Sequence, residues 1–434
     1  MRFLLLLTPL LAAAADPSSI DQASGQALQK LKSPGLVVMV VESDRITHAK
    51  GYGVASVETQ EPVTPNHLFR VGSTTKMFVA ATLLRLSERG KVSLRTPVGT
   101  YLHELQGPLA DLTGHQLLTH TAGLMDRTLM YGAHDDTALA ANIRGLQPDV
   151  LFTKPGQIYS YSNLGYAMAG RLIEVTSAEP FADAVSDLIF QPLGMKRTTF
   201  RPTLAMTYPI AQGHSTENSE VIIARPAADH SGYWPAGSMF TSGNDFARWA
   251  ITVINGGKLD GRQALEAEVV RTMTMPLVDT PNGGKYGYGI AVQKIGALDV
   301  YSHGGSRTGY GSHFIWSPQK KCGVIAIANL SGADPGPLAR EIFKSISGVN
   351  AAERNDAPPA KLDPTKLAGI YAQYTSFVTV TAEAGQLKLV ADGHTAALSP
   401  TQGNCFTGNV CFSVAGDGRG IYISRGSRSY ARKD

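Results

Sequence analysis

The sequence predicts an α/β fold in which an antiparallel sheet carries helices on both faces, followed by a small all-β barrel at the C-terminal end. The 434 residues exceed what one hydrophobic core usually holds. Within the first 348 residues, strand patterns stand at both ends and helical patterns between them, which favours one sheet built from both ends with an inserted helical region. After residue 364 the pattern becomes short strands separated by Gly, Asp and Asn.

The first unit, residues 16–348, mixes the two periodicities. Apolar strand patterns occupy residues 37–41, 48–57, 286–292, 298–303, 311–316 and 323–328. Helical patterns occupy residues 73–89, 166–176, 181–189, 245–254 and 338–346. The segment 73–89 is apolar nearly all round and is followed by Gly90, so we expect a buried helix there.

A change of composition marks the end of this unit. Residues 349–364 replace periodic apolar residues with Asn, Asp, Glu, Pro and Ala, which predicts a linker. The barrel, residues 365–434, has strand patterns at 369–371, 378–381, 387–390, 411–414 and 421–424. Cys405 and Cys411 flank a turn centred on Gly408, and an oxidising compartment would let them form a disulfide. Cys322, beside an apolar strand, is expected to be a buried thiol.

The first 15 residues have the pattern of a secretory signal peptide. Arg2 precedes the apolar run 3–11, and Ala13 and Ala15 satisfy the small-residue rule for cleavage after Ala15. The run is too short to span a bilayer as a helix. We therefore expect an exported protein, periplasmic or secreted, with no transmembrane anchor after cleavage.

The net charge of the chain is small. The formal net charge of +4 becomes 38 − 35 = +3 when Arg2 is removed with the signal, which is too small to indicate nucleic-acid binding. The histidines lack metal-ligand spacing such as His-Glu-x-x-His, so we expect no metal and no cofactor. The expected partner is a small molecule or a short peptide; the sequence leaves the oligomeric state open.

A serine and a lysine at the start of the predicted buried helix carry the first chemical signal. Residues 71–78 read Val-Gly-Ser-Thr-Thr-Lys-Met-Phe, which places Ser73 and Lys76 three residues apart on one helix face. A serine hydroxyl needs a base within hydrogen-bond reach to act as a nucleophile. A lysine serves as that base when burial lowers its pKa. On its own, this spacing also fits an N-cap serine beside a surface lysine.

Two further segments reduce the weight of that alternative. Tyr161-Ser162-Asn163 stands at a predicted helix N-terminus, where the helix dipole favours a phenolate-like tyrosine. Residues 302–306 read Ser-His-Gly-Gly-Ser, after a predicted strand and before a loop, and the glycines there would let a substrate backbone approach closely. No Gly-x-Ser-x-Gly elbow is present, which disfavours an α/β-hydrolase.

Together the three segments resemble the motifs of the penicillin-binding-protein and class C β-lactamase superfamily. The motifs occur in the same order, Ser73-x-x-Lys76, Tyr161-x-Asn163 and His303-Gly304-Gly305. Residues 117–124, Leu-Leu-Thr-His-Thr-Ala-Gly-Leu, and 235–238, Pro-Ala-Gly-Ser, are similar to its flanking segments. The resemblance implies the β-lactamase/transpeptidase-like fold over residues 20–347 and a lipocalin-like barrel after it.

By position, the resemblance implies a role for each matching residue. Ser73 is the acylated nucleophile, and Lys76 and Tyr161 share the general-base role. Asn163 holds the substrate amide or the lysine. The backbone N–H groups of Ser73 and Ser306 form the oxyanion hole, beside the substrate-binding residues His303, Gly304 and Gly305.

The third motif departs from the family at its first position, where His303 replaces the lysine of class C β-lactamases. A histidine is only partly charged near neutral pH, so it should hold a substrate carboxylate less firmly. The resemblance and this departure together favour a serine hydrolase of D-alanyl peptides, amides or small esters, and a β-lactam is the least favoured of the substrates that stay open. The alternative is a catalytically weak penicillin-binding or sensor protein of the cell envelope.

Overall fold

The computed structural model describes residues 17–349 and 358–433. The predicted signal peptide lies outside the described residues, and so do residues 350–357 of the predicted linker. The strands of the first unit are β1 (Gly35–Glu42), β2 (Arg45–Gly53), β3 (Leu68–Arg70), β4 (His214–Glu217), β5 (Glu220–Ile223), β6 (Phe240–Ser242), β7 (Lys258–Leu259), β8 (Arg262–Gln263), β9 (Val278–Asp279), β10 (Lys285–Tyr286), β11 (Ala291–Ile295), β12 (Leu298–Arg307), β13 (Tyr310–Ser317) and β14 (Cys322–Ala328).

Eight of these strands form the main antiparallel sheet, in the order β2-β1-β14-β13-β12-β11-β10-β9. The first strands of the chain pair with the last strand of the unit, with Leu36 opposite Ala328, so the sheet is assembled from both ends as predicted. Strand β1 is apolar from Leu36 to Val41, as expected of a strand that is covered on both faces. Val37 and Met39 belong to one core and Val38 to the other.

Helices cover both faces of the sheet, which confirms the predicted fold class. The helices are α1 (Pro17–Leu31), α2 (Thr75–Glu88), α3 (Gly114–Leu118), α4 (Ala138–Arg144), α5 (Asn163–Ser177), α6 (Phe181–Val185), α7 (Pro202–Ala205), α8 (Trp234–Gly237), α9 (Gly243–Ile254), α10 (Ala267–Met273), α11 (Gly336–Ser347) and α12 (Pro364–Leu367). Helices α1 and α11 pack on one face, and α2, α5 and α9 share the larger core on the other. Among the described residues, no helix combines the length and the apolar character that a membrane span needs.

Helix α2 is the buried helix that the sequence predicts. A 3-10 turn, Gly72–Thr74, leads into it, and Gly90 after its end has a φ of +68°. Its side chains from Thr75 to Leu84 are all buried. The polar side chains between Thr75 and Leu84, among them Lys76, are therefore removed from water.

The C-terminal unit is a nearly closed antiparallel barrel of eight strands, in the order β18-β17-β16-β15-β22-β21-β20-β19. The strands are β15 (Gly369–Gln373), β16 (Ser376–Glu383), β17 (Gln386–Ala391), β18 (His394–Leu398), β19 (Cys405–Phe406), β20 (Val410–Val414), β21 (Gly420–Arg425) and β22 (Arg428–Arg432). The all-β prediction is confirmed, although the sequence patterns missed β18, β19 and β22. A disulfide joins Cys405 to Cys411 across the β19–β20 hairpin.

Two predictions of strand extent are wrong. The predicted strand 286–292 is interrupted, because Gly289 adopts a φ of +73° and turns the chain between β10 and β11. The segment from His303 to Ser306 does not follow a strand but lies inside β12. The predicted helix 181–189 is also divided, since a π-helical turn at Ser186–Phe190 follows α6.

Candidate active site

The structure brings Ser73 and Lys76 together at the N-terminus of α2. The Lys76 Nζ donates to the Ser73 Oγ at 3.1 Å and to the Asn163 Oδ1 at 2.7 Å, and a third bond runs to the carbonyl of Ala236. Lys76 is fully buried. Burial lowers the pKa of Lys76 to about 7, so a large fraction of the amine is unprotonated and able to accept a proton near neutral pH.

Tyr161 stands on the other side of Ser73. Its hydroxyl is hydrogen-bonded to Ser73, and its ring centroid lies 4.8 Å from the Lys76 Nζ. Burial raises the pKa of Tyr161 above its usual range, so the expected phenolate-like tyrosine is wrong. The phenol precedes the first turn of α5, which begins at Asn163, and complete desolvation outweighs the field of the helix.

The segment that carries Tyr161 is fixed by hydrogen bonds at the start of α5. Ser162 caps the helix by accepting from the Gly165 N–H at 3.2 Å. The Ser162 N–H donates to the His120 Nδ1 at 3.1 Å, and the His120 ring packs against Tyr161 with centroids 4.2 Å apart. His120 therefore holds both the backbone next to Tyr161 and the Tyr161 ring.

Strand β12 brings Ser306 next to the nucleophile. A Cβ added to Gly72 would lie 2.6 Å from the Ser306 N, and one added to Gly305 would lie 3.0 Å from the Ser73 N. Only glycine fits at both positions, because the two backbones meet there. The backbones that carry the Ser73 and Ser306 N–H groups are thus in close contact at the position of the predicted oxyanion hole.

The register of β12 leaves one of its edges open to a substrate. Arg307 and Tyr310 close a two-residue turn, so hydrogen-bonded pairs alternate back from there along the β12–β13 ladder. This alternation points the N–H groups of Gly304 and Ser306 away from β13. On that side β11 ends at its pairing of Ala291 with Ser302, which leaves the 304–306 edge free to pair with an extended substrate.

His303 differs from its expected charge state. Its Nε2 lies 2.9 Å from the Tyr286 hydroxyl and its Nδ1 lies 2.6 Å from the Gly304 carbonyl oxygen. Burial lowers the pKa of His303 to about 3, so the ring is neutral rather than partly charged near neutral pH. His303 can donate or accept a hydrogen bond but supplies no positive charge to a substrate.

A cleft of about 270 Å³ contains residues of the second and third motifs in its lining. Tyr161, His303 and Gly304 line this cleft, together with Arg340 of α11 and the barrel residues Gly426 and Ser427. A larger and mostly apolar cavity of about 530 Å³ lies elsewhere, and none of the three motifs lines it. The chemistry therefore assigns the site to the smaller cleft.

Sequence reasoning missed several residues around this cleft. Asp126 accepts from the Asn163 N–H at 2.8 Å, and Arg428 of the barrel donates to Asp126 at 2.6 Å. Arg340 carries a charge into the cleft from the opposite wall. None of the three belongs to a motif, although Arg428 is one of five basic residues near the C-terminal end, Arg419, Arg425, Arg428, Arg432 and Lys433.

Metal chemistry has no support among residues 17–349 and 358–433, where no group of three His, Cys, Asp or Glu side chains is placed to hold a metal ion. Cys322 is buried, and burial raises the pKa of its thiol to about 12, so it is not an activated nucleophile. The disulfide-bonded pair Cys405 and Cys411 lies in the barrel.

A model of the Beta-lactamase family matches residues 20–345. Protein flp of Staphylococcus aureus (strain MW2) is 25% identical over 320 residues, which cover 72% of this chain and 63% of that protein. Unguisins hydrolase ungD of Aspergillus violaceofuscus is 26% identical over 373 residues, 76% of this chain and 65% of that protein. The chain thus spans less than two thirds of the length of these relatives.

Solved structures extend the similarity to the barrel. SurE with D-Leu has a TM-score of 0.78 at 23% identity, covering 96% of this chain and 99% of that one. The octameric penicillin-binding protein homologue from Pyrococcus abyssi has a TM-score of 0.70 at 22% identity, covering 96% and 97%. D-amino acid amidase from Ochrobactrum anthropi SV3, solved with L-phenylalanine amide, has a TM-score of 0.62 at 21% identity, covering 76% and 97%.

Proposed function

The chain belongs to the Beta-lactamase family, and we propose that it is an exported serine hydrolase that forms an acyl-enzyme on Ser73 with D-amino-acid peptides, amides or small esters. The observation that carries this proposal is the placement of Lys76. A fully buried amine, whose pKa burial lowers to about 7, hydrogen-bonds directly to the Ser73 hydroxyl. Burying an amine costs free energy unless a carboxylate pairs with it, and within the described part of the chain no carboxylate hydrogen-bonds to Lys76. Its placement therefore fits a general base better than a structural role.

Acylation begins with proton transfer from Ser73. The neutral Lys76 takes the Ser73 proton, with Tyr161 sharing the hydrogen-bond network, and the Ser73 Oγ bonds to the substrate carbonyl carbon. The carbonyl oxygen becomes an oxyanion that accepts from the N–H groups of Ser73 and Ser306. When the C–N or C–O bond of the substrate breaks, the leaving amine or alcohol recovers the proton from Lys76, through Tyr161 or directly.

Deacylation uses the same groups in reverse. A water molecule gives its proton to the Lys76–Tyr161 pair and attacks the acyl carbon, and the Ser73 Oγ leaves with that proton. The protonated phenol of Tyr161 suits this exchange, because it can donate one hydrogen bond while it accepts another.

Two features of the cleft support the proposed substrate class. The neutral His303 supplies no charge to a substrate carboxylate, which disfavours efficient β-lactam hydrolysis. Arg340 is the residue that we propose to bind a terminal carboxylate, since a guanidinium pairs with it in a two-bond geometry. The similarity to SurE with D-Leu and to a D-amino acid amidase supports substrates with D-configuration.

Hydrolysis of a small substrate panel tests the proposal. The panel compares the p-nitroanilides of D-alanine and L-alanine, p-nitrophenyl butyrate and a penicillin, with Ser73→Ala as the control. We expect turnover of the D-anilide and the ester, and at least about tenfold lower kcat/KM for the L-anilide and the penicillin. Ser73→Ala should abolish all turnover. Equal rates for parent and variant would contradict the acyl-enzyme, and a preference for penicillin would contradict the substrate class.

A further inference from the structure

The turn between the last two barrel strands projects into the active site. This segment, Gly426–Arg428, is called the barrel turn below. The Ser427 carbonyl accepts a hydrogen bond from the Tyr161 N–H at 2.8 Å, and Gly426 and Ser427 line the cleft. A residue of the separate C-terminal unit therefore holds the backbone of a proposed catalytic residue directly.

Arg428 continues this contact into a chain of hydrogen bonds. Its Nε donates to the Asp126 Oδ2 at 2.6 Å, and its Nη2 contacts the same oxygen. The other oxygen, Oδ1, accepts from the Asn163 N–H at 2.8 Å, and the Asn163 side chain accepts from the Lys76 Nζ at 2.7 Å. The Asp126 side chain is only 9% exposed, so its charge is weakly screened.

A second set of bonds holds the segment before Tyr161. The Ser429 N–H donates to the Ser160 Oγ at 3.1 Å, and the Ser429 hydroxyl donates to the Tyr159 carbonyl at 2.9 Å. Gln373 of β15 donates to the same Ser160 oxygen at 3.2 Å. The barrel thus holds the chain at Tyr159 and Ser160, directly before the Tyr161–Asn163 motif, and at Tyr161 itself.

We infer that Arg428 is a positioning residue of the active site: it neutralises Asp126, so that this carboxylate can orient Asn163 without stabilising the protonated form of Lys76. The inference deepens the proposed function and rests on it. Asp126 and Arg428 act on the reaction through Asn163 and Lys76 and touch no reacting atom.

The tyrosines and histidines around Lys76 are uncharged, so Asp126 and Arg428 supply the charge that acts on the amine. Tyr161 and Tyr166 face the amine with pKa values that burial raises, so both are neutral phenols. His120 and His303 are neutral because burial lowers the pKa of each ring.

Of the charged groups that act on Lys76, Asp126 raises the pKa of the amine and Arg428 lowers it. Removing Arg428 should therefore raise the pKa of the Lys76 amine, and removing the charge of Asp126 should lower it.

The test is the pH dependence of kcat/KM in the full-length protein, measured with p-nitrophenyl butyrate. The rate should fall on the acid side as Lys76 becomes protonated. In Arg428→Ala the uncompensated Asp126 stabilises the protonated amine, so the acid limb moves to higher pH and kcat/KM at pH 7 falls about tenfold. In Asp126→Asn the stabilising charge is lost, so the acid limb moves to lower pH.

Two further variants serve as controls. Arg425→Ala removes an arginine of the same hairpin that pairs with Asp392, outside the chain of bonds, and should leave the profile unchanged. Arg428→Lys keeps the charge without the planar fork, so the acid limb should stay close to that of the parent while part of the rate is lost. Thermal unfolding of each variant identifies any that fails to fold.

The inference would be overturned if the acid limb moved in the same direction in Arg428→Ala and Asp126→Asn, or moved in neither. It would also be overturned if Arg425→Ala gave the same profile as Arg428→Ala. The Lys76 titration is also read without turnover, by NMR of lysine labelled with ¹³C at Cε in the Ser73→Ala background, with the signal assigned by its loss in Lys76→Ala. If the parent protein hydrolysed no substrate of the panel, the proposed function would be refuted. If the Lys76 titration measured by NMR still moved in opposite directions in Arg428→Ala and Asp126→Asn, the positioning role of Arg428 would be supported all the same.

Discussion

The floor and the rim of the cleft are built in different ways. The floor, made of Ser73, Lys76, Tyr161 and Asn163, lies at the N-terminal ends of α2 and α5, and Lys76 is the one of the four that is fully buried. The rim is made of Arg340 and the barrel turn, which reach the cleft from α11 and from the second unit. The floor combines uncharged groups with one amine, Lys76, whose pKa burial lowers to about 7, whereas the rim carries the full charges of Arg340 and Arg428. The difference indicates that bond making belongs to the floor, and that alignment and choice of substrate belong to the rim.

The largest effect should come from the floor. Lys76→Ala removes the proposed base, and we expect kcat/KM for p-nitrophenyl butyrate to fall by about a thousandfold or more, because the Ser73 hydroxyl then has no acceptor of suitable pKa. Steady-state kinetics across pH 6–9 measures this. The matched control is Lys285→Ala, which removes another lysine at the cleft, one that pairs with Asp279. A loss of similar size in both variants would contradict the assignment of Lys76 as the base.

A smaller and more selective effect should come from the rim. Arg340→Ala removes the proposed partner of a substrate carboxylate, so KM for a peptide ending in D-alanine should rise about tenfold with little change in kcat. The corresponding peptide amide and p-nitrophenyl butyrate carry no carboxylate and should be hydrolysed as by the parent. An equal loss with charged and neutral substrates would show that Arg340 supports the fold of the cleft rather than selectivity.

The floor and the main sheet were within reach of the sequence because their signals are local. Ser73 and Lys76 are three positions apart in a predicted helix, and the apolar residues of the same short segment predict burial. The two ends of the sheet were predicted because continuous apolar runs indicate strands that are covered on both faces. The roles of the individual floor residues stay predictions until variants are measured.

The rim residues and the charge states of His303 and Tyr161 could not be predicted from the sequence, because they depend on the tertiary structure. Arg428 and Asp126 are 302 positions apart, and neither stands in a motif. The neutral ring of His303 and the protonated phenol of Tyr161 follow from the depth of burial, which the residue type does not give. The break between β10 and β11 likewise follows from the backbone conformation of Gly289, where a Cβ would meet the Lys76 carbonyl.

The most direct test of the central claim is labelling of the protein with a fluorophosphonate, which leaves a stable ester on an activated serine. Intact mass and peptide mapping should show one adduct per chain, on Ser73, and none in Ser73→Ala. Because Lys76 must be unprotonated to accept the proton, and burial lowers its pKa to about 7, the labelling rate should rise with pH through that value. An adduct on another residue, or equal labelling of Ser73→Ala, would contradict the account.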